Sequence, residues 1–126
     1  MGKASPLMDV AIAERALTKA TIRAADKLEL TNRTLGAIIG LSEPSISRMK
    51  RGDFKLERGQ KSFELSVLFV RLYRSLDAIV SGDEQVAKAW LRNNNTALRG
   101  VPAELIQSIS GLVNVIQYLD TRRAKI

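Results

Sequence analysis

Residues 32–52 read NRTLGAIIGLSEPSISRMKRG, and the fold turns on this stretch. Its spacing predicts two short helices joined by a tight turn. On the first, Leu35 and Ile38/Ile39 recur at helical spacing and give one apolar face. Gly36 lies on that helix where a partner helix has to come close. Gly40 follows the last apolar pair, where a left-handed residue lets the chain turn sharply. Ser42 is a good N-cap for the second helix, and Pro44 is tolerated in its first turn because those N–H groups lack helical partners anyway. Ile46 and Met49, three apart, point inward on the second helix; Ser45, Ser47, Arg48, Lys50 and Arg51 are left outside. Small residue, glycine turn, then inward Ile and Met is the helix-turn-helix pattern.

Apolar spacing alone fits equally well a helical hairpin inside some other all-α domain. The glycine placement, the small polar outward face and the cations closing the second helix favour a DNA-reading unit. Serines enter a groove without steric cost and hydrogen-bond base edges or phosphates. Ser45, Ser47 and Arg48 are expected at base edges, and of these Arg48 alone can grip guanine bidentately. Lys50 and Arg51 are expected to hold phosphates and set register. Glu43 either caps its own helix or accepts from cytosine.

The bulk composition agrees. Among 126 residues, 20 Lys and Arg against 13 Asp and Glu leave a net charge of +7, which favours a polyanionic partner over an acidic small substrate. With no cysteine, disulfides and thiolate metal sites are excluded. With no histidine, there is no imidazole base and the common triads and zinc centres cannot be built. No catalytic cluster, metal or cofactor is therefore expected, and the chain does not read as an enzyme. No signal peptide is visible and no apolar run approaches the roughly 18 residues of a membrane span, so the expected location is the cytoplasm, without membrane association.

Outward from the central stretch, Ser5-Pro6 opens a long helix that could run to Leu30, with Leu7, Val10, Leu17, Ala20/Thr21, Ala24 and Leu28 as its stripe. Thr31 caps the next helix. After Gly52-Asp53, a loop over 54–59 leads to a helix over 60–81 with apolar residues on more than one face, the candidate core helix. Arg71 and Arg74 fall on its polar side and read most simply as solvated, with contact to a DNA backbone the lesser alternative. Asp83 caps a short helix carrying Ala87, Trp90 and Leu91 inward, and Asn93-Asn94-Asn95 ends it. Pro102 opens another helix with Leu105, Ile106 and Ile109 as its buried side, and Ser110-Gly111 marks an interruption or a close backbone approach. Val113, Ile116 and Leu119 carry the last apolar stripe. The fold class is all-α, with a helix-turn-helix lobe over 1–59 packed on a small helical domain over 60–126.

The central stretch resembles the Xre/Cro-type helix-turn-helix family, with Met49-Lys50-Arg51-Gly52 closing the recognition helix. A second resemblance lies over 89–119, AWLRNNNTALRGVPAELIQSISGLVNVIQYL. Trp90-Leu91, the Asn-rich loop, Leu98, Gly100, Pro102, Leu105, Gly111, Val115 and Leu119 resemble the C-terminal domain of the MbcA/ParS/Xre antitoxins. The two in this order imply a type II antitoxin. Its first lobe would bind operator DNA and repress its own operon. Its second would dimerise and neutralise a RES-domain, NAD-consuming toxin. In relatives the C-terminal end closes the toxin's active-site cleft; carried onto this chain, that element is residues 120–126, with Asp120, Arg122, Arg123, Lys125 and Ile126 as toxin-binding residues and the two arginines foremost. The chain departs from members that finish in an Arg-rich helix followed by a glycine and a longer coda. The competing readings are a stand-alone Xre-like dimeric regulator without a toxin partner, and a nucleoid-type or RNA-binding helical protein that uses charge without reading sequence. A homodimer is expected in either regulator reading, because one helix-turn-helix reads only a half-site.

Overall fold

The protein, described here over residues 6–124 of a computed structural model, is all-helical among those residues. Seven helices follow in order: α1 (Pro6–Lys27), α2 (Asn32–Ile39), α3 (Glu43–Lys50), α4 (Lys61–Ile79), α5 (Glu84–Arg92), α6 (Pro102–Leu105) and α7 (Ile109–Ala124). The expected cap Ser5 lies outside the described residues, as do the side chains of Pro6 and Leu7. The long first helix stops at Lys27 rather than Leu30. Glu29 turns into the left-handed region at φ 53, and the Leu30 N–H folds back to the Ala25 carbonyl at 2.9 Å, closing the helix end.

Helix α4 is the spine. Leu65, Phe69, Leu72 and Leu76 are buried along it, and α1, α2, α5 and α7 all pack against it. Burying one such side chain contributes about 1.5–3 kcal/mol, so the stripe of α4 is the largest single apolar investment of the fold. The cover is not complete. Val67 is 46% exposed, and it shares the solvated strip of α4 with Arg71 and Arg74.

The helix-turn-helix forms as its caps dictate. Thr31 accepts from the Thr34 N–H and Ser42 from the Ser45 N–H, at 3.1 and 3.2 Å. Gly40 closes α2 at φ 75. Gly36 admits close neighbours. The nearest is the turn: a Cβ there would stand 2.3 Å from the Leu41 carbonyl oxygen and 3.7 Å from Ile46 Cγ1 of the partner helix α3, while the Gly36 carbonyl accepts from both Gly40 and Leu41.

At the other end, the break between α6 and α7 falls at 106–108, and Gly111 sits inside the first turns of α7. A Cβ on Gly111 would stand 1.9 Å from the Leu105 carbonyl oxygen, so the close-approach alternative is the correct one. Two expected core residues face out instead. Ile109 is 57% and Val113 37% exposed, because α7 starts afresh after the break and buries Leu112, Val115, Ile116 and Leu119.

Polar contacts hold the segment between α3 and α4. Glu14 and Thr18, one turn apart on α1, are both buried. Glu14 accepts from the Arg58 N–H at 2.8 Å and from Lys55 Nζ at 3.0 Å. Thr18 donates to the Glu14 carbonyl and accepts from the Leu56 N–H, which seats the fully buried Leu56. The Arg58 N–H first, and Lys55 second, pull the Glu14 carboxyl below the usual carboxylate range. A second tie joins α5 to the α1–α2 turn, where Lys88 and Arg92 pair with Glu29.

Two outcomes follow. Gly36→Ala and Gly111→Ala each press a methyl into fixed backbone and should cost about 1–3 kcal/mol, read as a lower urea midpoint; an unchanged midpoint refutes the close approach. A carboxyl whose pKa falls on folding stabilises the fold above its unfolded pKa of about 4.3, and that contribution fades as pH drops through the lowered folded value. Glu14→Gln should therefore lower the thermal midpoint at neutral pH and flatten its decline below about pH 4.3. Parallel acid limbs in the two proteins would show that Glu14 carries none of that dependence.

Candidate functional site

The outer face of α3 is built on two buried side chains, Ile46 and Met49, exposed by 0% and 1%. With these fixed in the core, the helix cannot roll, and the residues on its far side are presented at a set angle. Glu43 stands exposed at the first turn, and Arg48, Lys50 and Arg51 are exposed towards the end. Ser45 and Ser47 are half-buried on the two flanks.

None of these six hangs freely in arrangement, except Glu43. Arg48 Nη2 donates to Ser45 Oγ at 3.1 Å, and its guanidinium lies 6.0 Å from the centre of the Phe54 ring. One of five guanidinium donors is used in this way, so the rest remain for a bidentate contact. Ser45 Oγ also accepts from Ser42 Oγ. Ser47 Oγ accepts from Asn32 Nδ2 at 3.3 Å. Lys50 reaches Asp26 of α1 at 3.7 Å, and Arg51 reaches Asp53 at 3.5 Å. These pairs are exposed and contribute little to stability, so a phosphate can displace the carboxylate without large loss. Asn32 and Phe54 escape a sequence reading of the site. Each lies outside the recognition helix, and their only prior signals are a polar residue opening α2 and an aromatic just past the Gly52 turn.

The C-terminal residues divide differently. Asp120 is half-buried and turned towards α4: it accepts from Ser75 Oγ at 2.8 Å and pairs with Arg71. The Ser75 hydroxyl foremost, with Arg71 behind it, holds its carboxyl below the usual range. Arg71, exposed as expected, is also the cation of this tie. Arg122 and Arg123 are exposed. Arg122 sits over the Tyr118 ring, 5.4 Å from its centre, and Tyr118 stacks in turn on Trp90 at 6.4 Å and 19°. Arg123 Nη1 approaches Ser75 Oγ at 3.5 Å. A groove of about 360 Å³ runs beside Arg122, lined also by Leu98, Asn114 and Tyr118. Lys125 and Ile126 lie outside the described residues.

Two family models match the chain. One, described as the antitoxin Xre-like helix-turn-helix domain, covers residues 8–71. The other, described as the antitoxin Xre/MbcA/ParS C-terminal toxin-binding domain, covers residues 75–125. The chain belongs to the Xre/MbcA/ParS antitoxin family. A comparison with curated proteins gives no match.

Both models describe binding domains of antitoxins rather than enzymes. The stretch between the two matches, residues 72–74, lies inside α4. In this antitoxin the helix-turn-helix and the toxin-binding region therefore share a helix instead of being joined by a linker. Asp120 of α7 and its partners Arg71 and Ser75 of α4 sit at that seam. Among the described residues, no helix is long and apolar enough to cross a membrane.

The α3 surface yields a paired outcome. Arg48→Ala should cost about 1–3 kcal/mol on a specific site and relax preference at one base pair. Lys50→Ala should weaken binding to every duplex alike and lower the salt slope by about one. Quantitative footprinting or fluorescence titration on specific and random duplexes separates the two. An equal loss for Arg48→Ala on both would remove it from base reading.

Proposed function

We propose that this antitoxin neutralises a RES-domain, NAD-consuming toxin through its C-terminal region and represses its own operon, as a homodimer, through α3. The observation that carries the reading is the fixed, cation-bearing face of α3 on the same core that holds the toxin-binding region. The working division is a DNA-reading lobe over 1–59 and a dimerising, toxin-binding domain over 60–126, with α4 as the shared helix.

On the DNA side, Ser45, Ser47 and Arg48 approach base edges, Lys50 and Arg51 hold phosphates, and Glu43 accepts from cytosine. The exposed Val86 and Ile109 of that second domain support burial against a second copy. On the toxin side, the blocking element is residues 120–126. Its arginines are suited to the work: a cleft that accepts a dinucleotide can take a guanidinium against acidic catalytic groups through charge-assisted hydrogen bonds. Asp120 has a different part from the cations. Held by Ser75 and Arg71, it fixes where the end of α7 leaves the core and so sets where Arg122, over Tyr118, and Arg123, beside Ser75, stand.

The test is rescue. The neighbouring gene of the native operon is expressed in a heterologous host with either the full chain or a chain ending at Thr121, which keeps the Asp120 tie. Rescue by the full chain alone is the expected result. Rescue by both shifts inhibition onto the packed helices and the groove beside Tyr118. A harmless neighbour, or no rescue and no co-purifying complex, leaves a stand-alone dimeric regulator as the better account.

A further inference from the structure

Helix α1 carries Arg15, Lys19 and Arg23 at four-residue steps, all exposed. Residues spaced in this way line one face of a helix, about 6 Å apart along its axis. Lys27 continues the ladder, but a cation in the last turn is explained by the helix dipole. The other three have no such explanation. Like charges at this spacing repel and weaken a helix, and among the described residues none of the three forms an ion pair. The carboxylates of α1 that lie near are already engaged, Glu14 by Lys55 and Asp26 by Lys50.

Their place in the fold gives them a use. Arg15 and Lys19 line a groove of about 390 Å³ with Lys50, Arg51 and Lys55. Five cations from α1, α3 and the loop after it thus surround one trough at the C-terminal end of the recognition helix. A helix seated in the major groove has a phosphate strand on either side of it, and contacts to those phosphates fix register without reading sequence. The stripe extends from that end of α3 along the solvent side of α1.

We propose that Arg15, Lys19 and Arg23 form a second DNA-contacting element, a phosphate clamp on α1 that carries the duplex backbone past the end of α3. The inference rests on the reading of α3 as a DNA-recognition helix. It assigns α1 no base contact: its partner is the sugar-phosphate backbone of duplex DNA.

The test uses the full chain, with binding to two duplexes, one of random sequence and one from upstream of its own gene, measured across a salt series. Replacing two phosphate contacts should reduce the slope of log K against log salt by about 1.8. Arg15→Gln/Lys19→Gln should show this change and the same fold-loss on both duplexes, with thermal stability at or above that of the parent. Arg99→Gln, a change of equal kind on the loop before α6, should leave the slope where it was. An unchanged slope in the double variant, with the parent still binding, overturns the clamp and leaves the α3 reading intact. A slope change of similar size per charge for Arg99→Gln also overturns it, because net charge alone then accounts for the effect. If the parent binds neither duplex, the α3 reading fails and the clamp falls with it.

Discussion

Helix α4 has apolar residues around too much of its circumference to stand beside water, and the other elements are arranged by the need to cover it. α1, α2, α5 and α7 all pack on it. Because Phe69, Leu72 and Leu76 are almost completely buried, a shift of α4 relative to any neighbour would open space that the close-packed core cannot refill. The same helix therefore sets the position of α3, through α2, and of α7 directly. Two helices far apart in the sequence are held in one frame.

Polar ties complete that frame where apolar packing is thin. The loop after α3 has little apolar surface of its own apart from Leu56 and Phe54, yet it determines where Phe54 stands against Arg48. Glu14 and Thr18 satisfy the N–H groups of Arg58 and Leu56, groups that would otherwise be costly to leave unpaired beside the core. Asp120 does the corresponding work at the far end through Ser75 and Arg71. In both cases a carboxylate on a long helix orients a short segment that carries cations, and in both its charged form is favoured by the partners it finds.

The outer face of α3 is largely organised by contacts within the chain. Ser45 and Phe54 flank the Arg48 guanidinium, Asn32 turns the Ser47 hydroxyl, and Asp26 tethers Lys50. A side chain already restrained loses less conformational freedom on binding. The restraints are single hydrogen bonds and exposed ion pairs, weak enough to be exchanged for other polar partners.

Local signals were sufficient for the elements themselves. Thr31, Ser42 and Asp83 cap the helices they precede, Gly40 turns the chain, and Leu35, Ile38, Ile46 and Met49 go inside, because caps and helical spacing act over a few residues. The family likeness of both halves was legible for the same reason, in short ordered motifs. Tertiary structure alone decided what meets across the chain. Glu14 with Arg58, Glu29 with Lys88, and Asp120 with Ser75 are separated by more than forty residues each, and no periodicity connects them. It also decided the phase of α7, since the break at 106–108 rotates Ile109 and Val113 into solvent. It turned Gly36 and Gly111 from general small residues into sites where a carbonyl oxygen occupies the space of a Cβ. Sequence spacing fixes which face of a helix is apolar; only packing settles which atoms come to lie against it.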